Sequence, residues 1–270
     1  MVNPWIELEK VTDGEVAKCD KMAIEKVVEE SPEKLQIKYL PQPYMGDPTR
    51  AKIFLLNGNP NAPDDAKNNP GELSQEDFNI NHRKVITDSY NVDSSINKEK
   101  DYPLYALNPD FEKYSIYRWW YDHLSCLIEA VGLKTVSEKL FAAEYFPYFS
   151  KKFPDFSKKQ PYFSKNLNGD PILESQEYTF NLVKEAIEAE KIIVIMRAEK
   201  KWYNSVKGVK GLKDVECLED YKNKKYKDVD GKEYSRVIVL KEPRFVYVFS
   251  GNMQSGDFRR ILKILKGEEL

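Results

Sequence analysis

The strongest fold signal in this chain is the stretch Ala51-Lys52-Ile53-Phe54-Leu55-Leu56-Asn57-Gly58-Asn59-Pro60-Asn61. Its first half is a short apolar run without polar alternation, which is typical of a strand buried on both faces of an α/β sheet. Its second half is a turn, because glycine permits positive φ, proline fixes its own φ and asparagine side chains bond locally. Polar groups after a central strand lie where open α/β sheets bind ligands, although an ordinary exit from a strand has the same features.

Further buried runs along the chain predict the rest of a sheet. The predicted strands are Ala143–Phe146, Ile192–Met196 and Phe245–Phe249. Segments with helical periodicity alternate with them, at Asp20–Glu30, Ser115–Val131, Val136–Ala142, Ser175–Glu190 and Phe258–Leu265. Alternation of helix and strand favours crossover connections, so we predict the α/β class with a mostly parallel central sheet. The turn signal Asp230-Gly231 predicts a hairpin between 224–229 and 233–240.

No linker divides the sequence, so we predict one α/β domain over residues 1–270. Residues 1–42 form an N-terminal extension in this interpretation. Residues 61–110 form a long polar insertion, with a weak helix at Ser74–Asp88. Long segments of this kind are usually functional or mobile, and this one directly follows the turn at 57–61. We therefore expect it to cover the active site.

Charge and composition narrow the functional classes. Residues 1–135 carry 16 Lys/Arg and 23 Asp/Glu, a net charge of −7, whereas residues 136–270 carry 26 and 21, a net charge of +5. The basic half permits contact with a phosphate backbone, although lysine-rich surfaces are commonly only solvated. The apolar runs are too short to span a bilayer, and the N-terminus lacks a signal-peptide core, so we predict no membrane association. Three scattered cysteines form no paired framework, which favours the reducing cytoplasm.

Known catalytic motifs are missing from the sequence. It has no Ser/His/Asp set at a recognisable spacing, no glycine-rich phosphate loop and no Cys/His metal pattern, so we predict no metal and no cofactor. His123 lies on the apolar stripe of a helix, where a hydrogen-bonded core residue is the favoured interpretation. Four predicted strands instead end in polar or aromatic sequences, at Asn57–Asn61, Pro147–Ser150, Arg197 and Ser250–Gly256. In a parallel sheet these ends would share one edge and form a pocket.

The order of these segments resembles the uracil-DNA glycosylase superfamily, from about Pro43 to Leu265. The turn at 57–61 is similar to the Gly-x-Asn-Pro-Gly motif of the mismatch-specific and single-strand-selective branches. The loop at 250–256 lies where that superfamily has its second motif, often His-Pro-Ser. This chain has asparagine at both glycine positions of the first motif, and no histidine in the second. The resemblance implies a three-layer α/β/α fold of the uracil-DNA glycosylase type.

The resemblance also implies roles for individual residues, which must act on a base extruded from DNA. Asn59 would position the attacking water, with help from Asp64 or Asp65, and Asn252 would stabilise the departing base. The base would be bound by Asn57, Gly58, Tyr148, Phe149 and Arg197. The DNA would be contacted by Ser250, Gln254, Lys151 and Lys152, with Met253 as the wedge that fills the vacated stack.

The activity implied is that of a monofunctional DNA glycosylase, a hydrolase that excises a modified or damaged pyrimidine from duplex or single-stranded DNA, without an obligatory protein partner. The resemblance admits anti-phage members of the superfamily, which excise glucosylated hydroxymethylcytosine from viral DNA. It also admits a uracil or mismatch repair glycosylase. Two other classes stay open: a catalytically silent nucleic-acid-binding protein of this fold, and a small-molecule hydrolase that uses Asp64 or Asp65 with a metal.

Overall fold

The computed structural model describes residues 1–31, 35–61, 71–92, 100–151, 163–165, 170–206, 218–227, 231, 233–245, 252–253 and 255–268. The strands are β1 (Leu8–Val11), β2 (Gly14–Ala17), β3 (Tyr44–Met45), β4 (Ile53–Asn57), β5 (Leu140–Glu144), β6 (Ser164–Lys165), β7 (Pro171–Ile172), β8 (Ile192–Ile195), β9 (Lys225–Lys227), β10 (Glu233–Ser235) and β11 (Val237–Val239). The helices are α1 (Lys21–Glu30), α2 (Gln75–Asn81), α3 (Arg83–Ser89), α4 (Ser115–Val131), α5 (Leu133–Lys139), α6 (Glu174–Glu188), α7 (Glu199–Ser205), α8 (Leu218–Asn223) and α9 (Ser255–Lys266).

The central sheet has five strands in the order β11-β8-β4-β5-β3. β4 lies in the middle and pairs in parallel with both β5 and β8, while the short β3 is antiparallel at one edge. All five residues of β4 are buried, as its apolar run predicts. The α/β class and the mostly parallel sheet are therefore confirmed. The three-layer arrangement and the uracil-DNA glycosylase type stay predictions.

The register of the parallel strands brings their carboxyl ends to one edge. Asn57 is the partner of Glu144 across β4 and β5, and Leu56 is the partner of Ile195 across β4 and β8. The backbone N–H groups of Met196 and Arg197 both donate to the carbonyl oxygen of Leu56. The turn after β4, the end of β5 and Arg197 are thus neighbours, as the sequence predicts. β5, however, covers Leu140–Glu144 and not the predicted Ala143–Phe146.

The fourth parallel strand differs from the prediction. β9 and β10 pair as an antiparallel hairpin, but the hairpin arm predicted to reach residue 240 ends at Ser235. β11 follows and joins the central sheet beside β8, because its three β-branched residues suit a parallel strand at the sheet edge. Of the strand predicted at Phe245–Phe249, only Phe245 is among the described residues, and it lies outside the strands.

The predicted extension and insertion both contribute to the core. Trp5, Val16 and Ile24 from the N-terminal region belong to the same buried cluster as the central sheet. So do Phe78 and Tyr105, which lie in the segment at 61–110. The weak helix predicted at 74–88 is two helices, α2 and α3, that meet at His82. The described part of this segment is therefore packed structure and not only a polar cover.

Candidate functional site

A cavity of about 230 Å³ lies at the carboxyl ends of β4, β5 and β8. The turn after β4 contributes Asn57 and Asn59, β5 contributes Glu144, and Arg197 follows β8. Phe149 and residues from α2 and α4 complete the walls. The cavity thus occupies the position at which open α/β sheets bind ligands. Its volume is below the ~300–1,000 Å³ typical of pockets for drug-sized ligands, so it suits a single small ring.

The amide oxygen of Asn59 has no hydrogen-bond partner among the described residues, and Asn59 lines this cavity. Its Nδ2 lies 2.7 Å from the carbonyl oxygen of Ser150, 3.0 Å from Ser150 Oγ and 3.2 Å from the carbonyl oxygen of Pro60. Because a carbonyl oxygen can only accept, these contacts fix which end of the amide is the nitrogen. Within the described parts of the chain, Oδ1 accepts no hydrogen bond, so it is available to a water molecule or a ligand.

A buried carboxyl group forms the base of the cavity. Glu144 Oε1 accepts a hydrogen bond of 2.9 Å from Asn57 Nδ2. We refer to Asn57 and Glu144 as the sheet-edge pair. Burial raises the pKa of Glu144 to about 8, although the bond from Asn57 and the positive charge of Arg197 act in the opposite direction. At neutral pH this carboxyl group is therefore largely protonated, and it can donate a hydrogen bond.

Several polar atoms at the cavity are buried without a hydrogen-bond partner among the described residues. They are Gln42 Nε2, Asn57 Oδ1, Gln75 Nε2, Ser115 Oγ and Glu144 Oε2. Buried polar groups are nearly always paired, and each exception in a native structure needs an explanation. Since these five atoms belong to residues that line one cavity, a polar ligand or ordered water would satisfy them together. The cavity is therefore suited to a molecule that both donates and accepts hydrogen bonds.

Aromatic and cationic side chains form another wall. The ring of Trp119 lines the cavity, and the ring of His123 stacks on it with centroids 3.9 Å apart. The guanidinium carbon of Arg197 lies 5.8 Å from the centroid of Trp119, within the range of a cation–π contact. His123 Nδ1 lies 2.6 Å from the carbonyl oxygen of Trp119, and burial lowers its pKa. His123 is thus the hydrogen-bonded, partly buried residue that the helix pattern predicts.

Two of the predicted base-binding residues do not line the cavity. Tyr148 is fully buried on the side away from it, where its hydroxyl donates to Asp20 Oδ2 over 2.8 Å and accepts from the Ala17 N–H over 3.0 Å. Phe149, the next residue, lines the cavity and Tyr148 does not. Gly58 contributes a carbonyl oxygen to the Phe146 N–H and is not part of the lining.

The predicted loop at 250–256 contributes no described residue to the cavity. The side chain of Asn252 accepts from the Glu242 N–H over 2.7 Å and donates to the carbonyl oxygens of Glu242 and Arg244. Its amide therefore holds the turn before it and is not directed at a departing base. Met253 is only 8% exposed and packs in the main core, so it is not a protruding wedge.

The remaining predicted site residues either do not line the cavity or lie outside the described residues. Lys151 is exposed and does not line the cavity, and its predicted contact with DNA stays a prediction. Asp64, Asp65, Lys152, Ser250 and Gln254 lie outside the described residues. In the remaining described chain, no group of three or more His, Cys, Asp or Glu side chains is placed to hold a metal ion. None of the described helices combines the length and apolar character needed to cross a membrane.

Tyr148→Phe tests whether Tyr148 stabilises the fold and is not part of the cavity. The change removes a buried hydroxyl that serves both Asp20 and the Ala17 N–H, so it leaves two buried groups with one partner fewer. We expect the free energy of unfolding to fall by about 1–3 kcal/mol, measured by urea titration. Any activity at the cavity should be unchanged. Full stability would contradict the structural role of the hydroxyl, and a loss of activity without loss of stability would show that Tyr148 belongs to the site.

The cavity residues that the sequence did not predict include Glu144, Gln75, Ser115 and Trp119. One signal was available for Glu144, because it is a charged residue within the apolar run of a predicted strand. The other three lie on helices whose placement against the sheet is not encoded by a local pattern. No family model matches the sequence, and comparisons with curated proteins and with solved structures found no match either.

Proposed function

We propose that this protein is a DNA glycosylase that hydrolyses the N-glycosidic bond of a base extruded into the cavity. The observation that carries the proposal is the placement of Asn59, whose Oδ1 is held at the cavity by three bonds from Nδ2, beside the buried sheet-edge pair. The order of motifs along the chain, similar to the uracil-DNA glycosylase superfamily, supports the same reaction, and with it a three-layer fold of that type.

Hydrolysis of this bond needs an oriented water near the sugar carbon and hydrogen-bond donors facing the base as it leaves with negative charge. Asn59 Oδ1 is the acceptor that orients the water. Protonated Glu144 is the donor to the departing base, the role that the resemblance gave to Asn252. Such preorganised donors stabilise the charge that develops in the transition state. Burial of Glu144 serves this role because it keeps the carboxyl group protonated near neutral pH.

The rim of the cavity supports binding of a nucleotide. Arg197 is exposed, and no carboxylate of the described residues forms an ion pair with it. A guanidinium group in this position can contact a phosphate beside the extruded base. Trp119 and Phe149 provide flat surfaces for the ring. The base that we propose is a modified pyrimidine, such as glucosylated hydroxymethylcytosine, and the volume of the cavity suits the pyrimidine ring.

A panel of DNA substrates tests the proposal. The panel contains uracil, mismatched thymine, hydroxymethylcytosine and its glucosylated form, each in single and double strands. We expect free base and abasic sites from at least one substrate, measured by mass spectrometry, and no effect of a chelator. DNA binding without abasic sites in any substrate would instead identify a silent binding protein. Turnover that a chelator abolishes would identify a metal-dependent hydrolase.

A further inference from the structure

The side of the cavity away from the sheet is built by the starts of two helices. Gln75 is the first residue of α2 and Ser115 is the first residue of α4. We refer to them as the helical pair. The two helix starts are tied together, because the Leu73 N–H donates to the carbonyl oxygen of Lys113 over 2.6 Å and the Ser115 N–H donates back to that of Leu73 over 3.3 Å. The helical pair therefore has a fixed backbone.

The start of α2 is itself held rigidly. Ser74 Oγ accepts from the Asp77 N–H over 3.1 Å, and Asp77 Oδ2 accepts from the Ser74 N–H over 3.0 Å. This reciprocal capping box satisfies the first backbone donors of the helix without help from Gln75. The side chain of Gln75 is thus not required for the cap, although it is the residue next to it.

The helical pair is polar where packing alone would favour apolar residues. Gln75 is only 4% exposed, and within the described residues its Nε2 has no hydrogen-bond partner. Ser115 Oγ is likewise buried and unpaired in that part of the chain. Both residues line the same cavity as the sheet-edge pair. Since buried donors are normally satisfied, the missing partner is expected to belong to a bound molecule.

We propose that Gln75 and Ser115 are specificity-determining residues, which read a second polar edge of a neutral heterocyclic base whose first edge contacts Asn57 and Glu144. The Nε2 group of Gln75 can only donate, so the second edge carries a carbonyl oxygen or a ring nitrogen. Ser115 can donate or accept. The inference rests on the proposed function for the nature of the ligand, but it names the chemistry of the base and can be tested without DNA.

The test compares Gln75→Leu with the wild-type protein. Free cytosine and uracil are the probes, benzene is an apolar ring of similar size, and binding is measured by calorimetry or by NMR titration. We expect at least one of the two bases, but not benzene, to bind the wild type. Gln75→Leu should bind that base roughly three- to tenfold more weakly, the value of one buried hydrogen bond. Ser115→Ala should weaken it by a similar or smaller factor.

Thermal unfolding of the same variants separates recognition from structure. Leucine fills a similar volume and removes an unpaired buried donor, so the unfolding midpoint of Gln75→Leu should equal or exceed that of the wild type. The matched control is Glu76→Ala on the same helix, where an exposed side chain pairs with Lys38. This control should bind the base as the wild type does.

Three outcomes would overturn the inference: no binding of either base to the wild type, equal binding by Gln75→Leu, or a lower midpoint that accompanies its weaker binding. A lower midpoint together with weaker binding would mean that Gln75 stabilises the folded protein and does not contact the base. The proposed function fails separately. If base binding depends on Gln75 but no DNA releases a base, the inference is kept and the glycosylase activity is rejected. If DNA releases a base but Gln75→Leu binds the free base as the wild type does, the glycosylase activity is kept and the inference is rejected.

Discussion

Replacing Asn59 with alanine is expected to slow single-turnover base release by about a hundred- to a thousand-fold, the usual effect of removing one preorganised polar group from a transition state. The reason is the geometry of the amide. Three contacts from Nδ2 fix the side chain, and this leaves Oδ1 as the acceptor that orients the water in the proposed mechanism. Alanine removes that acceptor. DNA binding, measured by fluorescence anisotropy, should be largely kept because the Asn59 side chain does not contribute charge.

Ser150→Ala is the matched control for this prediction. It removes Ser150 Oγ, which lies 3.0 Å from Asn59 Nδ2, but it leaves the carbonyl oxygen at 2.7 Å and Asn59 Oδ1 in place. It therefore disturbs the same turn without removing the group that contacts water. We expect it to keep most of the rate. If Ser150→Ala released base as slowly as Asn59→Ala, displacement of the turn would explain both losses. If Asn59→Ala released base at the wild-type rate, the proposed mechanism would be rejected.

The elements that sequence predicts well are those whose pattern is local. The apolar run of β4 and the stripe of α4 each contain enough information to define an element, and the structure confirms both. The convergence at the cavity also follows from sequence, because parallel strands end at a common edge. That reasoning places Asn57, Asn59 and Arg197 at the cavity without any coordinates.

The direction of a side chain is harder to predict than the position of its segment. Pro147–Ser150 does reach the cavity region, but sequence alone does not decide which of Tyr148 and Phe149 faces it. Asn252 illustrates the same limit, because its amide bonds the backbone of residues only ten and eight positions away. Such local bonds compete with a role in catalysis, and only tertiary structure shows which use prevails.

The sheet-edge pair could not be predicted because it depends on register. Asn57 and Glu144 are 87 positions apart in the sequence, and they meet only because β4 and β5 pair in parallel with these residues as partners. A shift of one residue would direct Glu144 to the other face of the sheet. The helical pair depends in the same way on a bridge between Leu73 and Tyr114. Both halves of the cavity therefore arise from pairings between distant segments.

Glu144→Gln is expected to raise the free energy of unfolding relative to the wild type, and this gain should be on the order of 5 kcal/mol larger at alkaline pH than at acid pH. Burial raises the pKa of Glu144 from its ordinary 4.5 to about 8, so between these values the unfolded chain releases a proton that the folded chain keeps. This contribution to stability is complete below about pH 4.5 and is lost as pH rises to about 8. Glutamine keeps the acceptor for Asn57 and does not ionise.

The measurement is the difference in unfolding free energy between variant and wild type, from urea titrations between pH 4 and about 9.5, since a difference cancels the other titrating groups they share. The difference in unfolding free energy should grow in favour of Glu144→Gln as pH rises to about 8, and it should stay constant above that pH. The control is Glu188→Gln, the same chemical change at an exposed position. A difference that is independent of pH would mean that Glu144 is not the titrating carboxyl group.

The same titration links stability to the proposed chemistry. If protonated Glu144 donates to the departing base, base release by the wild type should fall as pH rises through about 8, the pKa of that carboxyl group. Glu144→Gln keeps an N–H donor at this position, so its rate should not fall in that range. A wild-type rate that persists above pH 9 would assign the donor to another residue, and the buried carboxyl group would then be a recognition element alone.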